Sequence, residues 1–100
     1  MKVAIVQFKA SPNKEENLEK IISYISKASS KNATLCAFPE FMMLYTKSSQ
    51  TAKELTSLSE TINGNFILTI AKAAKENHIQ VVGSFYEKSK RIIVFMILHL

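Results

Sequence analysis

The run Ala33-Thr-Leu-Cys-Ala-Phe38 carries no charge and stops at Pro39-Glu40. A short apolar run closed by a turn signal suits a strand buried on both faces, as in a parallel sheet. Proline has no N–H to give a ladder, so the strand should end there. Glu40 is thereby delivered to the C-terminal edge of a sheet, where open α/β folds place their ligands. Phe38 and Phe41 should desolvate its carboxylate and suit it to accept a proton. The competing reading is an ordinary surface glutamate at a strand-to-loop corner.

Upstream, residues 2–8 read as a strand, rich in β-branched side chains and free of breakers. Val3, Ala4, Ile5 and Val6 are consecutive, so both faces are apolar, which predicts an interior strand. Ser11-Pro12-Asn13 is a turn. Asn13 and Glu16 have the spacing of a capping box, and Glu15 and Glu16 suit the positive end of a helix. Leu18, Ile21, Ile22, Ile25 and Ala28 then recur on one helical face. Lys27 and Lys31 fall in the last turn, and Asn32 is a reasonable stop. Strand, helix and strand make a βαβ unit with a right-handed crossover.

Downstream, residues 41–45 lead into a polar stretch over 46–51, and Lys53, Leu55 and Leu58 suggest a short helix ending near Thr61. Asn63-Gly64-Asn65 is a turn. Phe66, Ile67, Ile70, Ala71 and Ala74 mark a second amphipathic helix, with Lys72, Lys75 and Glu76 on its wet side. Asn77-His78 closes it, and residues 79–86 form a third strand. The alternation predicts an α/β fold with a mostly parallel sheet flanked by helices.

A chain of 100 residues is one small domain, and 47% apolar with 21% charged residues is a globular composition. The net charge of +5 is scattered, with Lys14, Lys20, Lys27 and Lys31 along one helix. A nucleic-acid site would cluster its cations with stacking aromatics, so the charge reads as a solvated surface and no nucleic-acid partner is expected. No run approaches the ~20 apolar residues that span a bilayer, and the N-terminus lacks the form of a signal peptide. A single cysteine excludes an internal disulfide and fits a reducing cytoplasm.

The bland readings weigh against most other candidates. Cys36 lies inside the buried strand, where thiols are inert packing groups. His78, at a helix end, is a favourable C-terminal charge rather than a base. Neither His78 nor His99 has a ligand-spaced partner, so no metal is expected, and no phosphate loop surrounds Gly64 or Gly83, so no cofactor is either. Met42, Met43 and Tyr45 could face a site, Met43 and Tyr45 being weak candidates for substrate contact, although Met more often fills core gaps.

Taken in order, these segments resemble the N-terminal part of the carbon–nitrogen hydrolases, the nitrilase superfamily. The matching stretches are Val3-Ala-Ile-Val-Gln-Phe8, Asn17-Leu18, the strand closing in Phe38-Pro-Glu40, Gly64 with its helix, and Val81-Val-Gly-Ser-Phe-Tyr-Glu87. The resemblance covers residues 2 to about 90. It implies a four-layer α-β-β-α sandwich of which this chain is the N-terminal part. It also implies hydrolysis of a small amide, nitrile or carbamoyl compound through a Glu-Lys-Cys site and a thioester. Only the glutamate maps here, onto Glu40 as general base. The family's lysine and cysteine fall beyond residue 100, so the chain alone is expected to be inactive. Homo-oligomers are common in the family. The reading from another class is a non-catalytic α/β binding or assembly module.

Residues 91–100, Arg-Ile-Ile-Val-Phe-Met-Ile-Leu-His-Leu, depart from that pattern, because family members have a polar turn followed by a Tyr-Asn/Asp-Thr-like strand. A one-nucleotide shift of A/T-rich codons permits such a sequence. Residues 1–90 are therefore read as hydrolase and 91–100 as an atypical apolar tail, out of frame. The alternative is a genuine buried strand.

Overall fold

The computed structural model describes residues 1–40, 42–43, 59–87 and 91–98. Six elements follow in chain order: β1 (Val3–Ile5), α1 (Lys14–Ser30), β2 (Leu35–Ala37), α2 (Asn65–Glu76), β3 (Gln80–Glu87) and β4 (Arg91–Ile97). The strands form one sheet in the order β1-β2-β3-β4. β1 and β2, and β2 and β3, pair in parallel, whereas β3 and β4 pair antiparallel over seven residues, from Val81↔Ile97 to Glu87↔Arg91. The sheet is mixed, and this architecture is the α/β class that the alternation predicts.

α1 begins, and both helices end, for local reasons. Asn13 caps α1, its side-chain oxygen accepting the Glu16 N–H at 2.9 Å. Each helix stops at a residue in the left-handed region, Asn32 at φ 66° and His78 at φ 52°. In each case the next N–H closes back five residues, Ala33 to the Ala28 carbonyl at 3.0 Å and Ile79 to the Ala74 carbonyl at 3.1 Å. These are Schellman closures, and they turn the chain directly from α1 into β2 and from α2 into β3.

The helices share one face of the sheet. Ile21 and Ile25 of α1 and Phe66 and Ile70 of α2 are fully buried there against Cys36, Val81, Phe85 and Phe95. Alternation along β4 sends Phe95 into this core, where its ring meets Phe85 at 6.2 Å. The opposite face carries Val3, Ile5, Ile92, Val94 and Met96, all exposed. The described residues thus make two layers, one of helices and one of sheet.

Two expectations are corrected. β1 is an edge strand among the described residues, and Ile5 is 76% exposed, because its second apolar face meets no layer here. Ser59 and Glu60 lie outside any helix, Glu60 bridging to Glu87 of β3. The rest of the short helix expected over 53–61 lies outside the described residues.

Candidate functional site at the C-terminal edge of the sheet

β2 stops pairing where proline requires it to. The last β2-side bonds to β3 run through the Phe38 N–H, which donates to the Val82 carbonyl at 3.0 Å. Pro39 then has no donor, and the chain turns outward through Glu40. It returns at Met42 and Met43, both buried. Their thioethers continue the interrupted ladder. Met42 Sδ accepts the Ser84 N–H at 3.2 Å and Met43 Sδ accepts the Tyr86 N–H at 3.3 Å. Sulfur is a weak acceptor, but it spares two N–H groups of β3 the penalty of going unpaired in the interior.

Gly83 makes this return path available. A Cβ there would run into Met42 Sδ and approach Phe95 Cζ to 3.0 Å. Asn17 secures the same loop from the helix side. It is fully buried, donates to the Met43 carbonyl at 3.0 Å and the Ser11 carbonyl at 2.7 Å, and accepts the Ser11 N–H at 2.9 Å. Both flanks of Glu40 are therefore fixed, by ladder bonds on one side and by Met42, Met43 and Asn17 on the other.

Glu40 itself is exposed, which corrects the expectation of a desolvated carboxylate. Phe41, one of the two aromatic neighbours behind that expectation, lies outside the described residues. The carboxylate stands at a depression of about 250 Å³ whose walls are Phe38, Val82, Ile92 and Val94. Ser84 lines the same depression. Its hydroxyl is buried and has no hydrogen-bond partner among the described residues. An orphaned buried hydroxyl costs about 1–3 kcal/mol, so its presence on a strand of apolar residues needs a reason.

The other sequence candidates are dispersed. Cys36 sits between Ala4 and Val81 in the sheet, fully buried on the helix side, and burial pushes its thiol up to about 11. At neutral pH it is a packing group without thiolate character. Met43 holds the rim in place and does not line the depression. Tyr45 and His99 lie outside the described residues. His78 stands at the start of β3, the opposite edge of the sheet from Glu40. A larger hollow of about 330 Å³ runs along β1 and α1, lined by Tyr24, Lys27 and Lys31 but by no carboxylate. Glu40 has the better-placed environment, at the strand ends rather than along an edge.

Sequence reasoning passed over Glu60. One of its oxygens lies 2.7 Å from Lys14 Nζ, and the other accepts the Phe66 N–H at 2.8 Å. The available signal was Gly64, an N-cap without a side chain, which leaves the first turn of α2 in need of an acceptor from elsewhere.

Comparison with known proteins agrees with this architecture. Residues 2–97 match the family model of carbon–nitrogen hydrolases. Nitrilase homolog 2 of Dictyostelium discoideum is 33% identical over 82 residues, which are 82% of this chain and 24% of that protein. Among solved structures, an amidase from Nesterenkonia sp. superposes with a TM-score of 0.70 at 21% identity, covering 96% of this chain and 37% of its own. A mutant of the amidase from Nesterenkonia sp. AN1 in complex with butyramide gives 0.70 at 19% identity, covering 96% and 38%. The chain spans about a quarter of the length of the curated relative and under two-fifths of the solved amidases.

Proposed function

The chain belongs to the carbon–nitrogen hydrolase family, and we propose that Glu40 is the general base of a site that hydrolyses a small amide, nitrile or carbamoyl compound. The observation that carries this reading is the position of Glu40. It stands at the C-terminal edge of the sheet, with its backbone anchored on both sides, beside a depression with apolar walls.

In this reading, written for an amide, Glu40 takes the proton of a cysteine thiol and the thiolate attacks the carbonyl carbon. A lysine ammonium stabilises the tetrahedral oxyanion, and its collapse expels ammonia or an amine protonated by Glu40. Water, deprotonated by the same carboxylate, cleaves the thioester to an acid and regenerates the thiol. Cys36 is not that nucleophile, being buried on the other face of the sheet with a raised pKa. The family's lysine and cysteine are proposed to come from sequence outside residues 1–100, and the 100-residue chain alone to be inactive.

The test is ammonia release from a panel of small amides by the chain extended to full length, in the frame that carries the rest of the hydrolase. Glu40→Gln should lower kcat/KM by roughly 10²–10⁴-fold, the usual contribution of a general base. If the extended chain releases nothing and the Glu40→Gln form behaves identically, the hydrolase reading fails.

The exposed apolar face formed by Ile5, Val94 and Met96 favours a second reading, a non-catalytic assembly module that uses this face as an interface. For residues 91–100 we propose the genuine-strand alternative over the out-of-frame one, supported by the pairing of β4 with β3 over seven residues and by Phe95 in the core. Sequencing the gene around the codons of residues 89–92 tests it.

A further inference from the structure

We propose that Ser84 is a substrate-contacting residue of this site, its hydroxyl holding the polar head of a small aliphatic amide beside Glu40. The inference rests on the hydrolase reading for the identity of the ligand, but its evidence is separate.

Alternation along β3 sends Gly83 and Phe85 toward the helices, and a Cβ at Gly83 would meet Met42 and Phe95 there. Ser84 must therefore face the other way, into the depression that Glu40 borders. Its backbone N–H is taken by Met42 Sδ and its strand partner is Val94, which offers no polar side chain. The hydroxyl is left buried and unpartnered among the described residues. Both residues lie past the last pairing of β2 with β3, at the same edge of the sheet. Ala37 pairs with Val82, so Ser84 lies two residues beyond the last β2 pairing and Glu40 three beyond it on the neighbouring segment.

The chemistry of the lining selects the ligand. A hydroxyl donates once and accepts twice, so it can serve either the carbonyl or the N–H of a carboxamide. An anionic head would meet the charge of Glu40 at close range. The remaining walls, Phe38, Val82, Ile92 and Val94, offer no hydrogen bonds from their side chains and suit a short aliphatic body. A volume of about 250 Å³ is close to that of eight waters at ~30 Å³ each, enough for a molecule of propionamide size.

The experiment titrates propionamide into the 100-residue chain and follows backbone amide shifts by NMR, with Ser84→Ala, Ser84→Thr and Glu40→Gln in parallel. Shifts at Val82, Ser84 and Val94 are expected in the parent chain. Ser84→Ala should weaken binding by roughly 3–10-fold, the worth of one neutral hydrogen bond, and Ser84→Thr should retain most of it. Removing an orphaned hydroxyl should not lower the melting temperature, which separates ligand contact from a structural role. Unchanged affinity in Ser84→Ala, or no shifts at those amides in the parent, overturns the proposal and leaves the hydrolase reading standing. Binding that depends on Ser84, together with no ammonia release from the extended chain, overturns the hydrolase reading alone.

Discussion

The Lys14 ammonium lies 2.7 Å from one carboxylate oxygen of Glu60, and the other oxygen of that carboxylate accepts the Phe66 N–H at 2.8 Å. One glutamate thus ties the first turns of both helices together at the edge of the sheet that carries Glu40. The pair is largely buried, with the side chains 16% and 12% exposed, so it escapes most solvent screening.

Loss of Glu60 should therefore be expensive. Glu60→Ala removes the ion pair with Lys14 and the acceptor of the Phe66 N–H, with an expected loss of about 1–3 kcal/mol. Urea denaturation measures it. Lys14→Met together with Glu60→Ala should cost less than the sum of the two single changes, because the residues share one interaction.

Gly83→Ala should destabilise by about 1–3 kcal/mol, since the added methyl competes for the space of Met42 Sδ in a packed core. The diagnostic is local. Hydrogen exchange at the Ser84 amide should accelerate more than at Val81, because displacement of Met42 removes the acceptor of Ser84 first.

Burial pushes the Cys36 thiol from 9.0 up to about 11. The folded state prefers the neutral form, so stability is fully present below about pH 9. It falls between about 9 and 11, where the unfolded chain ionises first, by about 2–3 kcal/mol in total. Comparing denaturation of the parent and Cys36→Ala across that range isolates the effect, because the lysines and tyrosines are common to both. An identical slope in the two chains would show that Cys36 does not contribute.

The outward sheet face should make the isolated chain self-associate. Ile5 and Met96 are 76% and 59% exposed on the face opposite the helices. Gel filtration should find the parent chain running larger than a monomer, and Ile5→Lys with Met96→Lys should shift it toward the monomer position. A parent chain that already elutes as a sharp monomer would contradict this.

Much of the scaffold was legible because it is local. The capping role of Asn13, the left-handed stop at Asn32 and the arrest of β2 before Pro39 all follow from residues within a few positions of one another. The features that were missed depend on what lies across the fold. β1 reads as interior from its own residues, and only the strand order makes it an edge. Met42 and Met43 look like gap-fillers until the return of the chain puts their sulfurs against β3. Ser84 is ordinary in sequence and becomes conspicuous only when its neighbours prove to be apolar. The exposure of Glu40 has the same origin, since flanking aromatics do not say which way a turn faces.

Two sulfur atoms standing where carbonyls would normally stand have a consequence for how such a site can change. A backbone ladder is indifferent to the side chains it joins, so substitutions leave its geometry in place. The rim that carries Glu40 is instead specified by residue identity at positions 42 and 43, so a change there shifts the carboxylate and takes the acceptors of two β3 N–H groups with it. Placement of the base and integrity of the sheet edge are thereby coupled through the same two side chains.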